Sequence, residues 1–148
     1  MSDSKKPNII HGHLNRNDGY STTVSGGKHE LVADEPESVP GGTDKGPDPY
    51  DLLLMSYSAC TLMTLKMYAD RKGWEFDDIY VEMRHEKKHV DDCQSCDKPK
   101  AHLDFIEKEI IIKGDLTDEQ KERMLQIADK CPVHKTLSQG VRVTSMLG

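Results

Sequence analysis

Between Asp51 and Lys66 the chain carries no charged residue, and its leucines and methionines fall on every side of a helical projection. An amphipathic surface helix would leave one polar stripe, so this pattern predicts a helix packed on nearly all sides. Asp48 or its neighbour can cap it, with Pro49 in the first turn, where a missing N–H costs nothing. The helix should end near "ADRKGW": Arg71 and Lys72 suit the negative end, and Gly73 can take the left-handed cap. The uncharged core runs only from Leu52 to Leu65, 14 residues, and is diluted by Ser56, Ser58, Thr61 and Thr64. A membrane span needs about 20, so the expectation is a buried helix with no membrane partner. A chain that is 35% hydrophobic, with mean hydropathy −0.69, has little apolar material to wrap such a helix alone. A second copy is the expected wrapper, which makes the chain a homodimer.

The flanking patterns have other periods. "NIIHGHLNRNDGYSTTVSGGKHELVADEP" has β-branched residues and glycine turns at "NDG" and "SGG", which predicts two or three strands of a meander, followed by a loop over "ESVPGGTDKGPDP". In "DIYVEMRHEKKH" the residues Ile79, Val81, Met83 and His85 face one way and Tyr80, Glu82, Arg84 and Glu86 the other, as in a half-buried strand. A polar stretch containing "CQSC" leads to a second strand, "HLDFIEKEIIIKG", so the two predict a long antiparallel hairpin. "LTDEQKERMLQIADKC" has Thr117 and Gln120 at capping-box spacing and sets Met124, Ala128 and Cys131 on one face. "PVHKTLSQG" extends or restarts a helix, and "VRVTSML" predicts a closing strand. The order β-β-β-α-β-β-α-β, without repeats, predicts an α+β fold with helices on one face of antiparallel sheet, in one domain over 1–148.

At 148 residues the chain is long enough to bury a core in one domain. A net charge of −6 and a pI near 5.6, with lysine and arginine interspersed among acids, argue against a nucleic-acid partner. "MSDSKKPNII" lacks the apolar core of an export signal, so the expected location is cytoplasmic. With that address, four cysteines read more readily as reactive thiols or metal ligands than as structural disulfides.

Cys60 lies inside the apolar helix and has two readings. Free cysteine packs as a small hydrophobe, which is the simpler one. Chemistry needs a thiolate, and apolar surroundings raise a thiol pKa from about 8.5. Each unit of lowering takes about 1.4 kcal/mol, and the helix neighbours Ser56, Tyr57, Met63 and Thr64 include no cation. A cation distant in sequence would have to supply it. In "KCPVHKTL" the proline suits a first helical position, which makes Cys131 an N-cap, where unpaired N–H groups favour a thiolate, with His134 one turn on. The other reading of Cys131 is a buried residue that ends the Met124/Ala128 stripe.

"GPDPYDLLLMSYSACTLMTLKMYADRKGW" together with "IADKCPVHKTL" resembles the osmotically inducible protein C / organic hydroperoxide resistance family (OsmC/Ohr). The resemblance spans nearly the whole chain. It implies an intertwined homodimer with the long helices at its centre, and a thiol-dependent peroxidase of organic hydroperoxides in oxidative stress defence. By the same resemblance Cys60 matches the attacking cysteine and Cys131 the resolving one, the two closing to a disulfide that an external dithiol reduces. This reverses the simpler reading of Cys60. Apolar walls from Leu53, Met63 and Met67 would suit an organic peroxide, and no metal or organic cofactor is required.

Peroxidases of the family hold the thiolate with an arginine of the N-terminal meander, for which Arg16 is the candidate, and place a glutamate after the proline that matches Pro49. Here that position is Tyr50, beside the substrate in the implied site, with the acid displaced to Asp51. The expectation is a slow peroxidase whose Cys60 pKa lies nearer 7 or above than 5. Outside the resembling core, "HEKKHVDDCQSCDKPKAH" brings Cys93 and Cys96 between His89 and His102. That is a tetrahedral zinc set if the strands pair in register, a redox dithiol, or a solvated hairpin tip with incidental thiols. The rival functions are a non-catalytic dimer that binds an apolar small molecule, and a zinc- or redox-sensing protein acting through Cys93 and Cys96.

Overall fold

A computed structural model describes residues 8–89 and 102–148. The elements in chain order are β1 (Ile10–His13), β2 (Thr22–Gly26), β3 (His29–Ala33), α1 (Pro49–Lys72), β4 (Asp78–His89), β5 (His102–Lys113), α2 (Asp118–Ala128) and α3 (Pro132–Gln139). The α+β class holds, with two antiparallel sheets, β1-β2-β3 and β4-β5. The chain divides into two compact units, Met1–Leu53 and Leu54–Gly148, the division falling inside α1.

In the first unit the meander is pinned by short connections. Thr22 pairs with Ala33 and Gly26 with His29, so Gly27 and Lys28 alone make the β2–β3 turn. Gly27 has φ 57°, a conformation open to glycine. After β3 the chain is gathered by one carboxylate, the buried Asp34. It accepts from the Thr43 hydroxyl at 2.6 Å and from the backbone N–H groups of Glu35 and Lys45 at 2.8 and 3.1 Å. The Thr43 hydrogen bond is the largest cause holding this carboxyl below the usual aspartate range. Its stabilisation is in full above the ordinary aspartate pKa and fades as pH falls through the lower folded value. The loop then reaches α1 as expected. Asp48 Oδ1 accepts from the Asp51 N–H at 2.8 Å, and Pro49 opens the helix.

In the second unit α1 ends in a Schellman turn: Gly73 has φ 70°, Gly73 N–H donates to the Asp70 carbonyl and Trp74 N–H to the Ala69 carbonyl. The β4–β5 register pairs Val81 with Ile110 and His89 with His102. Along β4, Ile79, Val81, Met83 and His85 are half-buried, whereas Tyr80, Glu82, Arg84 and Glu86 are exposed. The half-buried face meets the core, where Leu65, Tyr68 and Ala69 of α1 pack with Leu116 and with Met124, Ile127 and Ala128 of α2, against Ile79, Ile110 and Ile112. The Thr117–Gln120 capping box opens α2, with both reciprocal hydrogen bonds formed at 2.9 and 3.1 Å.

Within one chain α1 is buried along one stripe, Tyr57, Thr61, Leu65, Tyr68 and Ala69, as expected of a helix whose own chain cannot wrap it alone. Met55, Met63 and Met67, about 200° round the helix, stay 55%, 60% and 69% exposed. One expectation is corrected: the closing strand is absent, residues 141–148 have no regular secondary structure, and the element order ends α2, α3. Alternation decides which face a strand would bury, but a strand exists only where another backbone completes its ladder. Among the described residues no helix is long and apolar enough to cross a membrane.

Gly46 tests the first unit. A Cβ there would stand 1.9 Å from the Val32 carbonyl oxygen, a backbone atom that cannot step aside. Gly46→Ala is expected to cost about 2 kcal/mol or more in urea unfolding, a penalty in the overpacking range. An unchanged midpoint would show that the loop does not approach β3 as described.

Candidate active site

The two helical cysteines meet because of a break in the chain after α2. The stripe Met124, Ile127, Ala128 keeps α2 in the core up to its end, and Asp129 and Lys130 then turn the backbone. Cys131, at φ −58° and ψ 135°, is the N-cap of α3 with Pro132 following, so the helix restarts rather than continues. The Cys131 side chain is fully buried, which carries the stripe one position further. Cys60, half-buried on α1, lies within hydrogen-bonding reach of that thiol, and both are free.

Burial pushes the Cys60 thiol up, and the neighbouring Cys131 thiol adds to the rise. Against these act the Val133 N–H, in the first turn of α3, and the Thr64 hydroxyl, one turn along α1. The net direction is upward from the ordinary thiol value. The sequence assigned the helix N-terminus to Cys131. The structure instead aims the Val133 N–H at Cys60, while the Cys131 side chain makes no capping hydrogen bond because it is drawn into the core.

Beside Cys60 lies an open cavity of about 710 Å³. Ser56, Ala59, Cys60, Met63, Thr64 and Met67 line it from α1, Ile127 and Pro132 close the other side, and Tyr68, Arg71 and Lys130 complete its wall. Arg123 Nε donates to the Tyr68 hydroxyl at 3.2 Å and is the largest cause holding that phenol below its usual pKa. Met63 and Met67 therefore stand where the sequence expected apolar walls. Arg16, exposed in the β1–β2 connection, Tyr50, 46% exposed in the first turn of α1, and the half-buried Leu53 belong to the first unit.

Sequence reasoning missed a polar network behind the thiols. Lys108, in the middle of β5, is only 11% exposed at its side chain. Its ammonium donates to the Tyr57 hydroxyl at 3.1 Å and to the Ala128 carbonyl at 3.3 Å, and pairs with Asp129 at 3.0 Å. Tyr57 in turn bonds His134 Nδ1 at 2.5 Å. Burial acts to lower the Lys108 pKa, but the hydrogen bonds with Tyr57 and Asp129 outweigh it, and the net direction is up. A signal was present: Lys108 shares its strand face with Ile106, Ile110 and Ile112, and a cation inside an isoleucine row must find buried partners. Thr61, fully buried next to Cys60 in sequence, has an Oγ1 with no hydrogen-bond partner among the described residues.

At the hairpin the register makes His89 and His102 cross-strand partners, as a metal set there would require. Cys93 and Cys96 lie outside the described residues. Among the described residues no group of three or more His, Cys, Asp or Glu is gathered as if for a metal.

The comparisons agree with this architecture. A family model described as OsmC-like protein matches residues 42–146. The OsmC-like protein of Mycoplasma pneumoniae is 25% identical, with a TM-score of 0.69 over 92% of this chain and 89% of that one. The organic hydroperoxide resistance protein OsmC of Legionella pneumophila shares the fold at 17% identity, with a TM-score of 0.66 over 91% of each chain. The organic hydroperoxide resistance protein OhrB of Bacillus subtilis does so at 18%, with a TM-score of 0.60 over 88% of this chain and 90% of that one. No curated protein sequence matches the chain significantly.

Lys108→Met should destabilise the second unit by about 1–3 kcal/mol at pH 7, because Tyr57, Ala128 and Asp129 each lose a charged donor. A raised lysine pKa contributes stability in full below the ordinary value near 10.4, and loses it as pH rises through the folded value. The gap between wild type and Lys108→Met in urea unfolding should therefore narrow above about pH 10.4. A gap that is constant to pH 12 would mean that the charge is not what stabilises.

Proposed function

This chain belongs to the OsmC-like protein family, and we propose that it reduces organic hydroperoxides through its own thiols, Cys60 attacking and Cys131 resolving, in peroxide defence. The observation that carries the reading is a half-buried Cys60 in the wall of an apolar cavity, with the buried Cys131 thiol within reach behind it. The names of the Legionella and Bacillus proteins of the same fold point the same way.

The Cys60 thiolate attacks one peroxide oxygen, the O–O bond breaks, and the alkoxide leaves as an alcohol after taking a proton. The Cys60 sulfenic acid then condenses with the Cys131 thiol. The S–O bond breaks, the S–S bond forms, and hydroxyl and proton depart as water. An external dithiol returns both cysteines to thiols, a reductant that a cytoplasmic protein would meet. Met63, Met67 and Ile127 supply the apolar surface that receives the organic part of the peroxide.

The thiolate is the slow element of this scheme, because the groups around Cys60 within its own unit leave the pKa raised. In the proposal Arg16 supplies the missing cation, and Tyr50 stands where a carboxylate would hold it, which makes the enzyme slow. A second copy of the chain, covering Met55, Met63 and Met67, forms the homodimer. The rival reading, a non-catalytic dimer that holds an apolar small molecule in the same cavity, draws support from the raised thiol pKa.

Mass spectrometry before and after one equivalent of cumene hydroperoxide separates the two readings. A loss of two hydrogens, mapped to a Cys60–Cys131 bridge and absent in Cys60→Ser, is the expected result. Peroxide left intact in the presence of dithiol would favour the binding protein.

Alkylation of Cys60 against pH tests the cation. Below its pKa each pH unit should remove roughly tenfold of the rate. Tyr50→Glu is expected to shift the profile to lower pH and Arg16→Ala to higher. Identical profiles in all three proteins would mean that some other group activates the thiol.

A further inference from the structure

The Lys108 ammonium has three protons and meets three acceptors: the Tyr57 oxygen, the Ala128 carbonyl and Asp129 Oδ1. With a cation donating to its oxygen, Tyr57 turns its own proton to His134 Nδ1, 2.5 Å away. His134 then accepts at Nδ1 and carries its hydrogen on Nε2. The bonds run in one direction, from Lys108 through Tyr57 to His134. Tyr57 stands one turn before Cys60 on α1, and His134 one turn after Cys131 on α3. The two rings also meet edge to face, with centroids 6.0 Å apart.

We propose that Tyr57 and His134 are positioning residues for the resolving thiol. Their hydrogen bond clamps the first turn of α3 onto α1, holding Cys131 and the Val133 N–H against Cys60, and protonation of His134 opens the clamp. The proposal rests on the reading of Cys60 and Cys131 as a reacting pair. A proton on Nδ1 replaces an acceptor by a donor. The Tyr57 oxygen would then have to accept from both His134 and Lys108, leaving its own hydrogen without a partner on a residue that is 5% exposed. Tyr57 faces the imidazole from α1, Lys108 reaches it from β5 through that hydroxyl, and Asp129 lies 3.9 Å away at the end of α2. Cys131 precedes it on its own element. Asp129 is itself paired with Lys108. With the clamp open, Cys131 is held less firmly, and the Cys60 sulfenic acid survives longer before closure.

The test is the rate at which the reduced protein closes the Cys60–Cys131 bridge, followed by acid quench, alkylation and peptide mapping from pH 5 to 8. One arm uses cumene hydroperoxide. The other uses diamide, which takes two electrons and two protons from the thiol pair and becomes the hydrazine. At pH 7.5 Tyr57→Phe and His134→Ala should close roughly three- to tenfold more slowly than wild type, the kinetic equivalent of one lost hydrogen bond. His134→Gln, whose amide oxygen accepts the Tyr57 proton and does not titrate, should recover most of that loss. The ratio of wild-type to His134→Gln rates should fall as the solution is acidified from pH 7.5 to 5, because only the imidazole can exchange its acceptor for a donor. Closure at the wild-type rate in both Tyr57→Phe and His134→Ala overturns the clamp, as does a ratio that stays flat with pH. If Tyr57→Phe does not fold, the pH-dependent ratio decides alone. Wild type that closes with diamide but consumes no peroxide overturns only the peroxidase reading. Wild type that closes with neither oxidant overturns the clamp, since there is then no pair to position.

Discussion

The packing of α1 on α2 is the contact on which the candidate site depends. Leu65, Tyr68 and Ala69 meet Met124, Ile127 and Ala128 in one cluster with Leu116. Each large side chain taken from water there contributes about 1.5–3 kcal/mol, which helps to hold α2 in place. Once α2 is fixed, its end is fixed too, and the turn at Asp129 and Lys130 can restart α3 in only a limited region. That region holds Cys131, Val133 and His134, all directed at the Tyr57–Thr64 segment of α1. Hydrophobic burial, which has no directional chemistry of its own, thus delivers the polar groups of the site.

The local energetics favour a protonated Cys60. Burial and a second thiol outweigh one backbone N–H and one hydroxyl, so the sulfur is close to its partner but poorly charged. Proximity and activation are separate requirements, and the second unit meets the first of them. Packing sets the distance between the two sulfurs, and the surrounding dipoles and charges set how readily either one ionises.

The polar network carries the same lesson. A buried lysine costs stability unless each of its protons is accepted, and here a phenol, a carbonyl and a carboxylate accept them. Because Lys108 also bonds the Tyr57 hydroxyl, lysine, phenol and His134 imidazole form one hydrogen-bonded chain. Thr61 offers a contrast: its hydroxyl is fully buried and has no partner among the described residues.

Features that depend on a few neighbouring residues were legible in the sequence. The Asp48 cap, the Gly73 turn, the Thr117–Gln120 box, the N-cap position of Cys131 and the alternation of β4 all follow from backbone geometry over one or two turns. The pairing of His89 with His102 was legible as well, because a two-residue period fixes a hairpin once its length is set. Which sulfur the α3 N-terminus would serve was not legible, nor that Lys108 would reach across to Tyr57. The missing closing strand was equally hidden, since Val141 and Val143 alternate with Arg142 and Thr144 as in a strand but pattern alone supplies no partner edge. These outcomes join residues tens of positions apart, where displacements of a few ångströms decide whether a hydrogen bond exists, and only the packed tertiary structure sets such distances.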